Sequence, residues 1–198
     1  MQTVMDFTGN EKIENTKFIF VDTETTGLNP RSARICEIAA VTSVGFEEIR
    51  PYSQLINPEQ LIPAEVSVIH GITDDMVRDA PSFRDIAHEV LDMFEDAVLV
   101  GHNVRFDISF ISAELGRAGL RMPRVRAADT LAMAKKSGKF KSNRLGAIVE
   151  ALHLPAGRWH RALADVQMTR QVFRYLVQER MNREELLLKD ILCTTGEK

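Results

Sequence analysis

Residues 17–27, KFIFVDTETTG, decide the fold. The apolar run over 18–21 is too short for a helix, and Thr25, Thr26 and Gly27 after it supply turn chemistry. Residues 17–22 therefore read as a buried strand that ends in a carboxylate and leads into a turn over 25–30. Alternation along an extended chain places Asp22 and Glu24 on one face. Two adjacent carboxylates repel, and burial strips solvation from each. A bound divalent cation removes both penalties; a strand end that has simply reached water is the other reading of the same residues.

Working outward, residues 34–46 and 52–56 are rich in Ile, Val and Ala and read as two further strands. Three strands with short connections predict an antiparallel meander. Helical spacing begins after Pro81, where Phe83, Ile86, Ala87, Val90, Leu91 and Phe94 form one apolar stripe. Residues 97–101 (AVLVG) fit a central strand, 106–120 a second helix and 124–128 a short strand. Residues 142–152 return to helical spacing, with Ser142 as N-cap. A long helix is predicted over 162–180, its inner face formed by Val166, Thr169, Val172, Phe173 and Leu176. On this reading residues 1–16 are a flexible lead-in, 17–180 the domain, and 181–198 a helical extension with a frayed tail. Strands followed by alternating helices and strands define an α/β fold, a mixed central β-sheet flanked by helices.

Composition narrows the function classes. A chain of 198 residues buries roughly 70% of its unfolded surface, enough to fold without disulfides or a structural metal. Its 44% hydrophobic and 27% charged content excludes a disordered or collagenous protein. Cys36 and Cys193 lie far apart, which fits a reduced, cytoplasmic setting. No apolar run approaches the length of a membrane span. The net charge of −3 hides an asymmetry: residues 1–100 carry 7 basic against 18 acidic side chains, and 101–198 carry 18 against 10. Nine of those basic residues fall between Arg117 and Arg144, with Asp129 the sole acid among them. Such a stretch is either a solvated face or a surface that neutralises phosphates.

Two later segments resemble the first in kind. His102-Asn103-Val104-Arg105-Phe106-Asp107 follows the apolar run 97–101, so Asp107 falls in the first turns of a helix beside the end of the sheet. His160-Arg161-Ala162-Leu163-Ala164-Asp165 opens the last helix. A helix dipole alone accounts for one first-turn acid. Three distant segments that each place an acid at a strand end or helix start point instead to a shared site, because ligands gather there in layered α/β folds. Asp22, Glu24, Asp107 and Asp165 offer hard oxygen ligands without cysteine, which selects Mg²⁺ or Mn²⁺. Several carboxylates around two ions about 3.5–4 Å apart form the clamp used for in-line displacement at phosphorus. His160, with an unperturbed pKa of about 6.5, suits the acceptance of a proton from water.

In order and spacing, VDTETTG, HNVRFD and HRALAD resemble the three motifs of the DEDDh (DnaQ-like) 3′–5′ exonucleases, the group of the proofreading epsilon subunit of bacterial DNA polymerase III. The segment Val68-Ile69-His70-Gly71-Ile72 belongs to the same resemblance. It implies a ribonuclease-H-like fold and a catalytic set of Asp22, Glu24, Asp107, His160 and Asp165. The four acids would hold two divalent cations, Asp22 shared between them, and His160 would be the general base. Thr23, Thr25, Thr26, His70 and Phe106 match positions that bind the 3′-terminal nucleotide. The implied activity is metal-dependent release of nucleoside 5′-monophosphates from a free 3′ end, DNA favoured over RNA, in proofreading or repair. An oligoribonuclease-type activity and an accessory role beside a DNA polymerase are the alternatives. Glu184-Glu185-Leu186-Leu187-Leu188-Lys189-Asp190-Ile191-Leu192 is the candidate apolar patch for a weak polymerase association, or else packs on the domain itself.

Overall fold

The run that opens the core forms β1 (Lys17–Thr25), whose pairing continues beyond the apolar residues through Asp22, Thr23 and Glu24. The computed structural model describes residues 8–155 and 161–193. β1 pairs antiparallel with β2 (Ile35–Val44), and β2 with β3 (Glu47–Leu55), which is the expected meander. β3 starts at Glu47 rather than at residue 52. It is an edge strand and mostly exposed, so pairing defines it and no apolar run announces it. β4 (Val98–Gly101) runs parallel to β1, and β5 (Arg126–Asp129) parallel to β4. The order β3-β2-β1-β4-β5 is a mixed sheet.

Alternation along β1 feeds two cores. Ile19 and Val21 face α3 (Phe83–Phe94) and α4 (Val104–Arg117), packing with Val90, Phe94, Phe110 and Ile111. Phe18 and Phe20 face α7 (Ala162–Met181), where Phe173 meets both rings edge-on at 5.1 and 5.3 Å. Each such ring pair is worth about 0.5–1.5 kcal/mol beyond the area it buries. α5 (Thr130–Ser137) and α6 (Leu145–Ala151) cover α7 through Ala134, Ile148, Val149, Met168 and Val172. The sheet is thus clad on both faces, and a ligand site is left the strand ends.

Several elements depart from the sequence reading. α1 (Ala64–His70) and α2 (Asp74–Val77) are too short to paint a stripe, and α1 exposes Val68 and Ile69. α5 is set by Asp129, whose carboxylate accepts from the amides of Leu131 and Ala132. Ser142 is not the N-cap of α6; that position is Arg144, and the Ser142 hydroxyl accepts from the Arg144 amide at 3.4 Å. Residues 8–16, expected as a loose lead-in, are built into the fold: Ile13 is fully buried, Glu11 pairs with Arg126, and Lys12 bridges to Leu187. The turn at Gly45 closes over them so tightly that a Cβ there would lie 2.7 Å from the Glu14 carbonyl. The last helix ends at Met181 instead of extending through the tail. Leu186, Leu188 and Ile191 then bury themselves in the α7 core, so the candidate docking patch packs on the domain. Among the described residues no helix is long and apolar enough to cross a membrane.

Candidate active site

Asp22 and Glu24 project together from the C-terminal end of β1, on the face that packs against α7. Asp165, in the first turn of α7, meets them there. One carboxylate oxygen from each of the three lies within 4.8 Å of the others. All three side chains are half-buried. The donor set is all oxygen and the spacing suits a hard divalent cation.

Asp107 arrives from the opposite layer. It is 4% exposed in the first turn of α4, and its Oδ1 accepts from the Thr23 amide (3.0 Å) and the Thr23 hydroxyl (2.8 Å). Thr23 points to the α4 face because its neighbours Asp22 and Glu24 point to the α7 face. Three consecutive residues of one strand thereby connect both helical layers. Asn103, just before α4, holds a left-handed conformation (φ 76°), and its amide donates to Asp129. That turn aims the first residues of α4 across the end of the sheet.

The electrostatics show acids packed against one another. Burial is the largest cause of the rise in Asp22, followed by repulsion from Asp107, Glu24 and Asp165. Glu24 is pushed from 4.5 to about 7 by burial first, then by Asp165, Glu37 and Asp107, while Arg161 pulls it down. Burial also drives Asp107 up to about 7, against the two Thr23 hydrogen bonds that favour its charged form. Sites with carboxyls raised this way are where counter-cations and proton chemistry are found.

The sequence reading missed Glu37. It sits opposite Glu24 in the β1–β2 register and is 1% exposed. Arg161 donates to it twice, Nη2 to Oε1 at 2.8 Å and Nε to Oε2 at 3.2 Å, and the Ala162 amide donates at 3.1 Å. A signal was present, since an acid in the apolar run Ile35-Cys36-Glu37-Ile38-Ala39 needs a partner. Its partner lies 124 residues away, beyond the reach of spacing.

The other expected site residues are distributed around this centre. The Thr25 hydroxyl donates to the Gly27 carbonyl at 2.7 Å. The Thr26 hydroxyl oxygen accepts from the Arg34 amide (2.9 Å) and from the Gln60 side chain, which ties the loop after β3 to the turn after β1. His70 is 4% exposed; its Nδ1 accepts from the Ile72 amide, and its Nε2 lies 3.9 Å from the Cys36 thiol. Phe106 is half-buried against Phe110, with ring centroids 4.8 Å apart. His160 lies outside the described residues.

The basic stretch divides. Arg117, Arg126 and Lys139 pair with Glu114, Glu11 and Glu179, whereas Arg121, Lys135, Lys136, Lys141 and Arg144 are exposed. His102, at the end of β4, donates from Nε2 to the Asn143 carbonyl at 2.9 Å, and its Nδ1 lies 3.0 Å from the Thr130 hydroxyl. Burial lowers its pKa, and its bond to the Asn143 carbonyl holds the 138–144 loop beside the strand ends. A separate cavity of about 540 Å³ lies between α5, α7 and residues 190–193, and none of the four acids lines it.

The RNase_T exonuclease family matches residues 19–173, and the chain belongs to it. The fold is ribonuclease-H-like, as the meander, the parallel half and the two helical layers indicate. The DNA polymerase III epsilon subunit of Rickettsia felis is 34% identical over 181 residues, 87% of this chain and 79% of that one. The 3′-5′ exonuclease DinG of Bacillus subtilis is 32% identical over 165 residues, 82% of this chain and 18% of its own length. PolC-type DNA polymerase III chains of two Thermotoga species also match, and this chain spans 12% of each. A solved structure of exonuclease X with 5′-overhanging duplex DNA superposes with a TM-score of 0.69 at 26% identity, covering 90% of this chain and 99% of that one.

Proposed function

We propose that the chain is a metal-dependent 3′–5′ exonuclease that hydrolyses DNA, at single strands or frayed 3′ ends, to nucleoside 5′-monophosphates. The observation that carries this reading is the convergence of Asp22, Glu24 and Asp165 within 4.8 Å, with Asp107 reaching the same strand end from the opposite layer. The names of the DinG and epsilon relatives and the DNA held by the exonuclease X structure support the polarity and the substrate.

In this reading Asp22, Glu24, Asp107 and Asp165 hold two divalent cations, Mg²⁺ or Mn²⁺. When bound, those ions supply charge stabilisation for in-line displacement at phosphorus. The protein's own part is positional and protonic. Thr23 orients Asp107 by two hydrogen bonds, so Asp107 keeps an oxygen aimed at β1. His160, next to Arg161 in the chain, takes the proton of the attacking water, a task matched to an imidazole at neutral pH. Thr25, Thr26, His70 and Phe106, with Thr23 through its hold on Asp107, form the bed for the terminal nucleotide. The exposed cations Lys141 and Arg144 steer the polyanion toward an acidic centre. Free cysteines at 36 and 193 fit a reduced cytoplasmic setting. A polymerase is the second partner this reading admits, held through a surface other than the side chains of Leu186, Leu188 and Ile191, which are buried in the domain.

The test uses 5′-labelled single-stranded DNA and its RNA twin with Mg²⁺, Mn²⁺ or chelator. A ladder that shortens from the 3′ end, needs metal and runs faster on DNA is the expected result. Faster shortening of the RNA twin moves the assignment to an exoribonuclease. No metal-dependent ladder on either strand overturns the reading.

A further inference from the structure

We infer that Glu37 is a positioning residue of this exonuclease: through Arg161 and the Ala162 amide it fixes the start of α7, and so Asp165, against the strand that bears Asp22 and Glu24. The inference rests on the reading of the acidic cluster as the catalytic centre.

Glu37 makes little sense as a contributor to stability alone. Like charges directly opposite in an antiparallel pair are destabilising, and Glu37 stands opposite Glu24. An ion pair with one buried partner is weak grounds for stability, since the desolvation of Glu37 offsets much of the attraction. The N-terminus of α7 also lacks the cheap solution. Its N-cap is Arg161, which has no side-chain bond to a helix amide, where Ser, Thr, Asn or Asp would cap it locally. The orphan amide of Ala162 is satisfied instead by a carboxylate from the neighbouring strand.

A cap of that kind does what a local one cannot. It ties the first turn of α7 to one residue of β2, whose register against β1 sets Glu37 opposite Glu24. The fork of Arg161 donates with two nitrogens to the two Glu37 oxygens, which fixes orientation as well as distance. Both oxygens of Glu37 are thus engaged, and it stands outside the group of acids whose oxygens converge. Beyond its direct repulsion of Glu24 and Asp22, its effect passes through the helix it holds. Asp165 lies one turn further on, and a displacement of about 1 Å at a reacting centre is enough to cost about 10²-fold in rate.

The experiment compares wild type, E37Q, R161M and the double variant. It measures kcat and KM for 3′ shortening, Mn²⁺ affinity from a paramagnetic titration of the substrate-free protein, and the thermal midpoint. The expected result in folded E37Q and R161M is a kcat lower by about 10–100-fold, KM within about threefold, and Mn²⁺ affinity weakened about 10–100-fold. E37D, which retains the charge, should recover part of the kcat. The double variant should be no worse than the worse single one, because both remove the same clamp. A folded E37Q with kcat and Mn²⁺ affinity near wild type overturns the proposal, as do losses that multiply in the double variant. Should E37Q fail to fold, R161M with wild-type kcat and Mn²⁺ affinity does the same. If wild type shortens neither strand, the exonuclease reading fails and the Mn²⁺ titration alone decides on the clamp: equal affinity in wild type and E37Q removes it.

Discussion

Two groups of carboxylates are built around the same sheet and handled in opposite ways. Glu114, 1% exposed on α4, receives Arg34 through Nε at 2.7 Å and Nη2 at 3.1 Å, and Arg117 lies 3.1 Å away. It also accepts from the Ile35 amide, so it pins the start of β2 to α4. Asp22, Glu24 and Asp165 instead have one another for neighbours, and burial with mutual repulsion raises Asp22 and Glu24. All are carboxylates drawn out of bulk water, Glu114 almost fully and the cluster by half; two guanidinium groups bind Glu114 directly, whereas Arg161 acts on Glu24 from its bond to Glu37. Glu114 is held as part of a structural ion pair, whereas Asp22 and Glu24 keep raised pKa values, the mark of a site where a ligand of positive charge fits.

The sharpest way to break that contrast is to remove one acid from each group. In the proposed function Asp165 acts where charge develops, so D165A should lower metal-dependent turnover by at least about 10³-fold. The same change should leave the metal-free thermal midpoint equal or higher, because it relieves repulsion. A D165A protein that turns over within tenfold of wild type, or melts well below it, would put Asp165 on the structural side of the comparison. H160A should slow the chemical step by roughly 10²–10⁴-fold, with nucleic-acid binding retained, if the imidazole is the base. Single-turnover rates separate that loss from a defect in binding.

E114A should behave in reverse. It strips two arginines of their shared carboxylate and frees the Ile35 amide, which should cost about 2–3 kcal/mol of stability. Its folded fraction should keep turnover within about twofold, because Glu114 stands apart from the acids that converge. Urea unfolding beside a rate measured well below the midpoint checks both parts. A catalytic collapse without loss of stability would merge the two groups that the structure keeps apart.

How much of this could be read in the sequence differs with the physics that sets each part. Asp22, Glu24 and Asp165 were legible because a two-residue period and a helix start fix where their side chains go. The strands and helices with apolar stripes were legible for the same reason. β3 was shortened because an exposed edge strand carries no burial pattern, and α1 and α2 were absent because one or two turns cannot show a period. Ser142 looked like a cap by residue type, but cap geometry fell on Arg144. The packing of residues 8–16 and 186–191 was missed because they bury their few apolar side chains in each other's neighbourhood, by contacts that no local pattern encodes, while residues 1–7 and the tail 194–198 lie outside the described residues. Thr23 was placed among the substrate-binding residues on resemblance; its hydroxyl turns to Asp107, a contact 84 residues away in sequence.

The smallest expected effect tests the comparison without a mutation. Glu24 and Asp107 have folded pKa values of about 7, and Asp22 is raised as well, all chiefly by burial. Unfolded, these carboxyls titrate near the usual 4. Between about pH 4 and 7 the folded state therefore binds more protons than the unfolded chain, so stability falls as pH rises through that window. Partial exposure of the site discounts the total to the order of 1 kcal/mol, or about 2–4 °C in the midpoint of a chain this long. Metal-free protein should thus melt lower at pH 7.5 than at pH 5, by a margin that D165A shrinks. Added Mn²⁺ should restore the midpoint more at pH 7.5 than at pH 5, since at the lower pH protons compete for the same oxygens. A midpoint that rises from pH 5 to 7.5 without metal would mean that the carboxyls at the end of β1 are neutralised as fully as Glu114.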